Sequence, residues 1–442
     1  MERQNTQETI TVQYNKLLES EPKLVTNFVP MDAAAQKRAF LSDEIRNPDH
    51  TYAKLDAIDF TERSQSIAQA GEEILADSAL NPKHVAAYEQ FVTGYLDKNR
   101  LMELAHAFKH ETDPAEKERI RGEYMSLNIE LYGEPDKATY RSLLREKVDA
   151  IRQKNLTGKA AKLRDELFEL IETDNTDEKI KRFRPADETV EWMHDTVETL
   201  YSGMLSHVPE KDTFTEQEVQ EIFQAIIHEE FGEAAEGWKV DVEPAKSINV
   251  KSTERRIVIP DDRGEISRET LRRLIVHEIG VHMLRSVMGG ETDLEPLRNG
   301  LGDYYDSEEG LGTVMEQALE GEFVEAGVNY YITAGLSYYD GKDFRDVFEA
   351  KWRLSALLDD DITDESIAKA KTSAYSGTMR ILRGTDELPW FKDLAYYNGS
   401  VDTWRYLESI RGDDTKFIFV LMGKANPANI AHERILYETS TI

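Results

Sequence analysis

Residues 271–285 read LRRLIVHEIGVHMLR and set two histidines and a glutamate into an apolar helical pattern. Leu271, Leu274, Ile275, Val281 and Leu284 recur at helical spacing and predict the face turned toward the core. Glu278 and His282 fall on that same face. A carboxylate buried there is costly unless a cation or a polar cleft compensates it.

The spacing is His277-Glu278-x-x-x-His282, one residue longer than the zinc-protease HExxH, whose histidines lie four apart on one helix face. At about 100° per residue, five steps of a regular α-helix leave the imidazoles roughly 140° apart, too divergent for one tetrahedral ion. A π-turn restores convergence, and Gly280 between the histidines removes a side chain that would resist it. The stretch therefore predicts a bulge at residues 279–281 carrying a metal site. The plain alternative is a buried helix whose histidines are merely hydrogen-bonded. With only 10 His in 442 residues, HExxxH by chance is rare.

Two ligands do not complete a site. Residues 306–312, DSEEGLG, predict a second helix with Ser307 as its N-cap, running through Glu316 and Glu320 to about Gly327. Glu308 and Glu309 either complement the helix dipole or supply a third ligand. Zinc sites of the His, His, Glu type draw that ligand from a later helix and leave a fourth position for water. Glu316 follows Glu309 by seven and shares its face. It is either a surface residue or a partner behind a ligand histidine.

HEIGVHMLR followed by EEGLG resembles the microtubule-associated tyrosine carboxypeptidase (MATCAP) family and its bacterial relatives, the QEGLA-motif, flavohemoglobin expression-modulating proteins. ELYGEPD at 130–136, SINVKSTERRIVIP ahead of the motif and RGTDELPWFKDLAYYNG at 383–399 are similar too, so the likeness extends over most of the chain beyond about residue 60. The resemblance implies a zincin-like metallopeptidase core with one Zn2+. It implies His277, His282 and Glu309 as ligands and Glu278 as general base. Two departures stand out: the family's EGLA reads EGLG here, ending on Gly312, and its Asn-Gly after the motif helix reads Met288-Gly289-Gly290.

Composition bounds the rest. The chain is 31% charged and 40% hydrophobic, and no apolar run approaches the roughly 20 residues a bilayer requires. The first residues lack the basic and apolar regions of a signal peptide, so a cytoplasmic location is expected. The absence of cysteine leaves histidine and carboxylate as metal donors. A net charge of −31 argues against nucleic acid or anionic membrane as partners. It also argues against carrying over the acidic tubulin tail on which the family's animal members act.

Along the chain, residues 1–60 are polar and broken by Pro22, Pro30 and Pro48, which predicts an extended or loosely packed arm. Residues 61–235 predict a helical N-terminal region with charges at helical spacing on a solvated face, a turn-rich break at 173–187, and a capping box at Thr215 and Glu218. Residues 236–442 form the expected catalytic region. Its β-branched runs at 238–242, 248–251 and 256–259 predict a small antiparallel sheet, whose edge either pairs with an extended peptide or only covers the core. Ser267 is the expected N-cap of the motif helix, and residues 288–303 are expected to be an irregular glycine-rich loop. Residues 330–339 read as core, 344–358 and 367–382 as helices, and 359–364 as an acidic turn without the spacing of a calcium loop. A last helix at 401–409 and an apolar run at 417–422 close an α+β, predominantly helical chain.

The reaction class expected is amide hydrolysis by a metallocarboxypeptidase, with Glu278 taking a proton from metal-activated water and delivering it to the leaving amine. The substrate is then a peptide or protein C-terminus. Its carboxylate calls for a guanidinium or ammonium, and Arg383 and Lys392 are the candidates, each against the alternative of an ordinary surface charge. Tyr396 and Tyr397 either stabilise an oxyanion or pack in the core. The competing class is a regulatory or scaffolding protein whose metal only pins the fold while the helices of 60–230 bind partners. Glu278 separates the two, because a structural zinc closed by four protein ligands needs no base.

Overall fold

The computed structural model describes residues 2–171, 180–245 and 247–439; of the turn-rich stretch expected at 173–187, positions 173–179 lie outside them. Helices dominate the described residues, with five short strands in two small sheets. The α+β, predominantly helical architecture is the one expected.

The strands are β1 (Thr213–Phe214), β2 (Lys239–Glu243), β3 (Asn249–Lys251), β4 (Arg256–Pro260) and β5 (Ile266–Ser267). β4 is the middle of a three-stranded sheet, with β3 antiparallel to it and β2 parallel, Lys239 lying opposite Arg256. The sheet is thus mixed, not antiparallel. The tight connection at Ser252–Glu254 folds β3 back on β4, and β2, reversed once more before β3, must run along β4. Arg256 fixes the register, reaching Asp241 at 3.0 Å and Glu243 at 3.2 Å. This order leaves β3 as an edge, packed beside the HExxxH segment.

β5 pairs with β1 and runs straight into the motif helix. Ser267 is its N-cap, accepting from the Thr270 amide at 3.2 Å, and Thr215 and Glu218 form the expected capping box. Regular helix at Arg268–Leu274 gives way to a π-helical segment, Ile275–Met283, before α-geometry resumes at Leu284–Gly290. The expected bulge exists and is longer than a single turn. Leu271, Ile275, Val276, Ile279, Val281 and Met283 are all fully buried. The element is therefore enclosed on nearly every side, and Leu274 and Leu284, expected inside, are only half-buried. An enclosed helix must satisfy its own polar groups. Tyr201 donates its hydroxyl to the Gly280 carbonyl at 2.8 Å, and a Cβ on Gly280 would sit 2.7 Å from that ring.

The second helix spans Tyr305–Glu320. Ser307 is not its N-cap: it lies inside the first turn, buried, with its hydroxyl donating to the Ala425 carbonyl at 3.3 Å. Nor does the helix reach Gly327, because Gly321 turns left-handed at φ +68 and closes it. Across it packs helix Ala395–Ser409, which begins earlier than the expected 401. Backbones meet where the two helices cross: a Cβ on Gly310 would lie 2.2 Å from the Gly399 carbonyl carbon.

Other expectations hold with adjustment. Helices occupy Val328–Tyr338, Phe344–Leu358 and Asp364–Leu382, with Thr363 of the acidic turn capping the last. The stretch at 288–303 is more regular than expected, since the motif helix runs to Gly290 and a short helix covers Pro296–Asn299. The apolar run becomes helix Asp414–Val420, and a further helix, Ile430–Thr439, follows it.

Residues 1–60 depart most from expectation. They form helices Glu2–Glu19, Leu24–Asn27, Ala33–Leu41 and Ala53–Asp56, with Tyr14, Leu17, Phe28, Phe40, Tyr52 and Leu55 buried. Single apolar anchors in a polar background read as a loose arm, yet each one finds a pocket. Phe40 packs in one apolar cluster with Tyr140 and Leu144 from the helical region and Tyr331 and Phe391 from the C-terminal half.

Replacing Gly310 by alanine forces the two crossing helices apart and should destabilise the fold by about 1–3 kcal/mol, as overpacking does. Urea unfolding checks this; an unchanged midpoint would mean that the crossing tolerates a methyl group.

Candidate active site

The π-helical segment turns His277 and His282 toward each other, with ring centroids 4.8 Å apart. The helix Tyr305–Glu320 brings Glu309 to them. One ligand atom from each of His277, His282 and Glu309 lies within 4.8 Å of the others. No fourth histidine, aspartate or glutamate joins this group among the described residues.

Each histidine is backed by a carboxylate on the same helix. His282 Nδ1 lies 2.8 Å from Glu308 Oε1, and His277 Nδ1 lies 2.5 Å from Glu316 Oε1. With His282 Nδ1 hydrogen-bonded to Glu308 and His277 Nδ1 facing Glu316 as an ion pair, Nε2 is the nitrogen each ring turns away from its carboxylate. The adjacent glutamates Glu308 and Glu309, alike in sequence, have therefore parted. Glu308 is buried against Arg285 and, at 2.9 Å, Lys424. Burial alone would raise its pKa, but Lys424, Arg285 and His282 hold it well below the usual carboxylate range. Glu309 faces the histidines. Burial opposes its charge, and His282, Lys392 and His277 together bring its pKa below the ordinary value.

Glu278 is 8% exposed and makes no hydrogen bond or ion pair among the described residues. Its charge acts on the neighbouring His277, and a buried carboxylate beside two imidazoles is the setting in which a cation is accommodated. Gly312, one of the two departures from the family pattern, lies against His277: a Cβ there would be 2.7 Å from its Cε1.

Cations line the other side. Lys392 touches the Tyr305 hydroxyl, and its burial, only partly offset by Asp393 and Glu309, brings its pKa down to about 8. Arg383 stacks on Trp390, its guanidinium carbon 4.6 Å from the ring centroid, and lies 3.8 Å from Asp393. Lys392 thus stands beside Glu309, while Arg383 stands one step back. Sequence reading missed Arg380, which grips buried Asp393 with two bonds of 2.7 and 2.9 Å and donates to the Tyr396 hydroxyl at 3.1 Å. Its helical context hid it, since an arginine in an amphipathic helix reads as solvated. Tyr396 joins this cluster, whereas Tyr397 is buried and lies near Glu325. Arg380 and Tyr330 also line a cavity of about 880 Å3 with Glu325 and Lys351.

The loop carrying these cations is tied to the N-terminal segment. Asp386, at φ +63, accepts from the His50 amide at 2.8 Å, the Tyr52 hydroxyl at 2.6 Å and Lys109 at 2.8 Å.

Comparison with known proteins gives the family, one of carboxypeptidases by its description. The family model described as "Microtubule-associated tyrosine carboxypeptidase" matches residues 191–441, more than half of the sequence, and the chain belongs to that family. The match leaves out ELYGEPD at 130–136. No curated protein matches the chain. A carboxypeptidase family implies a peptide or protein substrate. No helix among the described residues is long and apolar enough to cross a membrane.

Burial alone would lower the pKa of His277, but contact with Glu316 and the charges of Glu278 and Glu309 raise it to about 9. The ordinary value is about 6.5. In metal-free protein its stabilising contribution is therefore complete below about 6.5 and lost as pH rises through about 9. Histidine NMR titration should place its midpoint near 9, and Glu316→Gln should lower it; an unmoved midpoint would separate the two side chains.

Proposed function

We propose that the chain is a zinc-dependent carboxypeptidase that removes the C-terminal residue of a peptide or protein. The observation that carries this reading is the convergence of His277, His282 and Glu309, with Glu316 and Glu308 fixing both imidazoles from behind. The donor set fits zinc: two imidazoles and one carboxylate, with three protein donors rather than four. A bound zinc ion would supply Lewis acidity and lower the pKa of a water toward about 7.

The chain's own residues do the remaining work. His277, His282 and Glu309 hold the ion. Glu278, buried beside His277, takes the proton from the attacking water and returns it to the leaving amine as the C–N bond breaks. Lys392 binds the terminal carboxylate, and Arg383 and Arg380 add positive potential while Asp393 keeps them placed. The free edge of β3, beside the motif segment, offers backbone pairing to the residues upstream of the scissile bond. Glu278 favours this reading over a scaffold with a structural metal, since a base has no part in a closed site.

Glu278→Gln should abolish hydrolysis while keeping zinc, and His277→Ala should lose both; hydrolysis retained by pure Glu278→Gln protein would refute the base. Lys392→Met should raise KM for free-carboxylate peptides by roughly 10- to 100-fold, the worth of one charged hydrogen bond. Amidated peptides should show no such change. In the wild type, KM should climb above about pH 8, where Lys392 loses its proton. Equal effects on amidated and free peptides would remove Lys392 from substrate binding.

A further inference from the structure

A second group of metal-ligating side chains lies outside the candidate active site and shares no residue with it. His106 and His110 are four apart at the end of helix Val85–His110, so their imidazoles project from one face. Their ring centroids are 4.5 Å apart. Asp56, last residue of helix Ala53–Asp56, points between them. Its Oδ1 lies 3.1 Å from His110 Nε2 and 3.6 Å from His106 Nε2.

Donors around a tetrahedral zinc, each at roughly 2.0–2.1 Å, sit roughly 3.3–3.4 Å from one another. The two observed gaps bracket that value, and one ligand atom from each residue lies within 4.8 Å of the others. Helix geometry favours a cation here as well. His110 is the last residue of a 26-residue helix, at the end where the dipole's negative pole favours a cation. The Phe60 ring, 5.8 Å from that of His106, limits how far the imidazole can swing.

We propose that Asp56, His106 and His110 form a second zinc site, exchangeable with solvent, that clips the short helix at 53–56 to the long helix at 85–110. The two segments it joins also carry His50, Tyr52 and Lys109, which hold Asp386 in the loop leading to Lys392. Zinc at this position stiffens the attachment of that loop without touching the reacting atoms.

The test uses full-length protein carrying His277→Ala and His282→Ala, stripped with chelator and titrated with Zn2+ by calorimetry. One equivalent should bind with a Kd tighter than about 0.1 mM. It should disappear when His106→Ala and His110→Ala are added, and Asp56→Asn, at a half-exposed position, should weaken it at least tenfold. In the otherwise wild-type chain, His106→Ala with His110→Ala should lower bound zinc by one equivalent and leave the zinc held at His277 and His282 in place. Zinc binding no tighter than about 0.1 mM, an adventitious ion only, would overturn the proposal. So would an equivalent that survives loss of both histidines. Neither result bears on His277 and His282.

Discussion

The structure depends on one backbone irregularity. A regular α-helix would splay His277 and His282, and the π-helical segment at Ile275–Met283 brings their rings to 4.8 Å. Such a turn gives up ideal hydrogen bonding and persists only where its surroundings determine it. Here they do. The segment is buried on nearly every side, and Tyr201 both fills the space left at Gly280 and caps its carbonyl. The helix Tyr305–Glu320 then supplies Glu308 and Glu316 behind the rings and Glu309 before them. Three carboxylates from one helix thus serve a single histidine pair, a division of labour that follows from spacing: 309 and 316 share a face, while 308 is turned toward Arg285 and Lys424.

Charge explains how this crowding is tolerated. Several carboxylates packed near two imidazoles would repel one another, but Arg285 and Lys424 neutralise Glu308, and Lys392 stands beside Glu309. Asp393 in turn takes both bonds of Arg380 and draws Arg383 near, so the cationic side is itself balanced. The polar interior is a chain of alternating signs rather than an isolated pair, and its order runs from Lys424 through the histidines to Arg380. That sequence of charges leaves Lys392 as the cation next to Glu309.

Much of this was legible in the sequence, where strong local rules applied. The bulge followed from a five-residue spacing and a glycine, the N-caps at Ser267 and Thr215 from side-chain chemistry, and the grouping of His277, His282 and Glu309 from the family resemblance. Long-range packing was not legible. Ser307 resembled a cap but is claimed by Ala425, and the parallel pairing of β2 with β4 depends on a crossing that no local pattern encodes. Residues 1–60 looked loose because their apolar anchors are single and widely spaced. Their role appears only in three dimensions, where His50 and Tyr52 meet Asp386 more than 330 positions away.

The central claim is that two imidazoles and one later carboxylate hold a single zinc ion above Glu278. Anomalous diffraction at the zinc edge from crystals of the full-length protein tests it most directly. The account predicts a peak roughly 2.0–2.2 Å from a nitrogen of His277, a nitrogen of His282 and an oxygen of Glu309, with a fourth position left to solvent. A peak bound by Glu308 instead, or no peak between the two histidines, would contradict it.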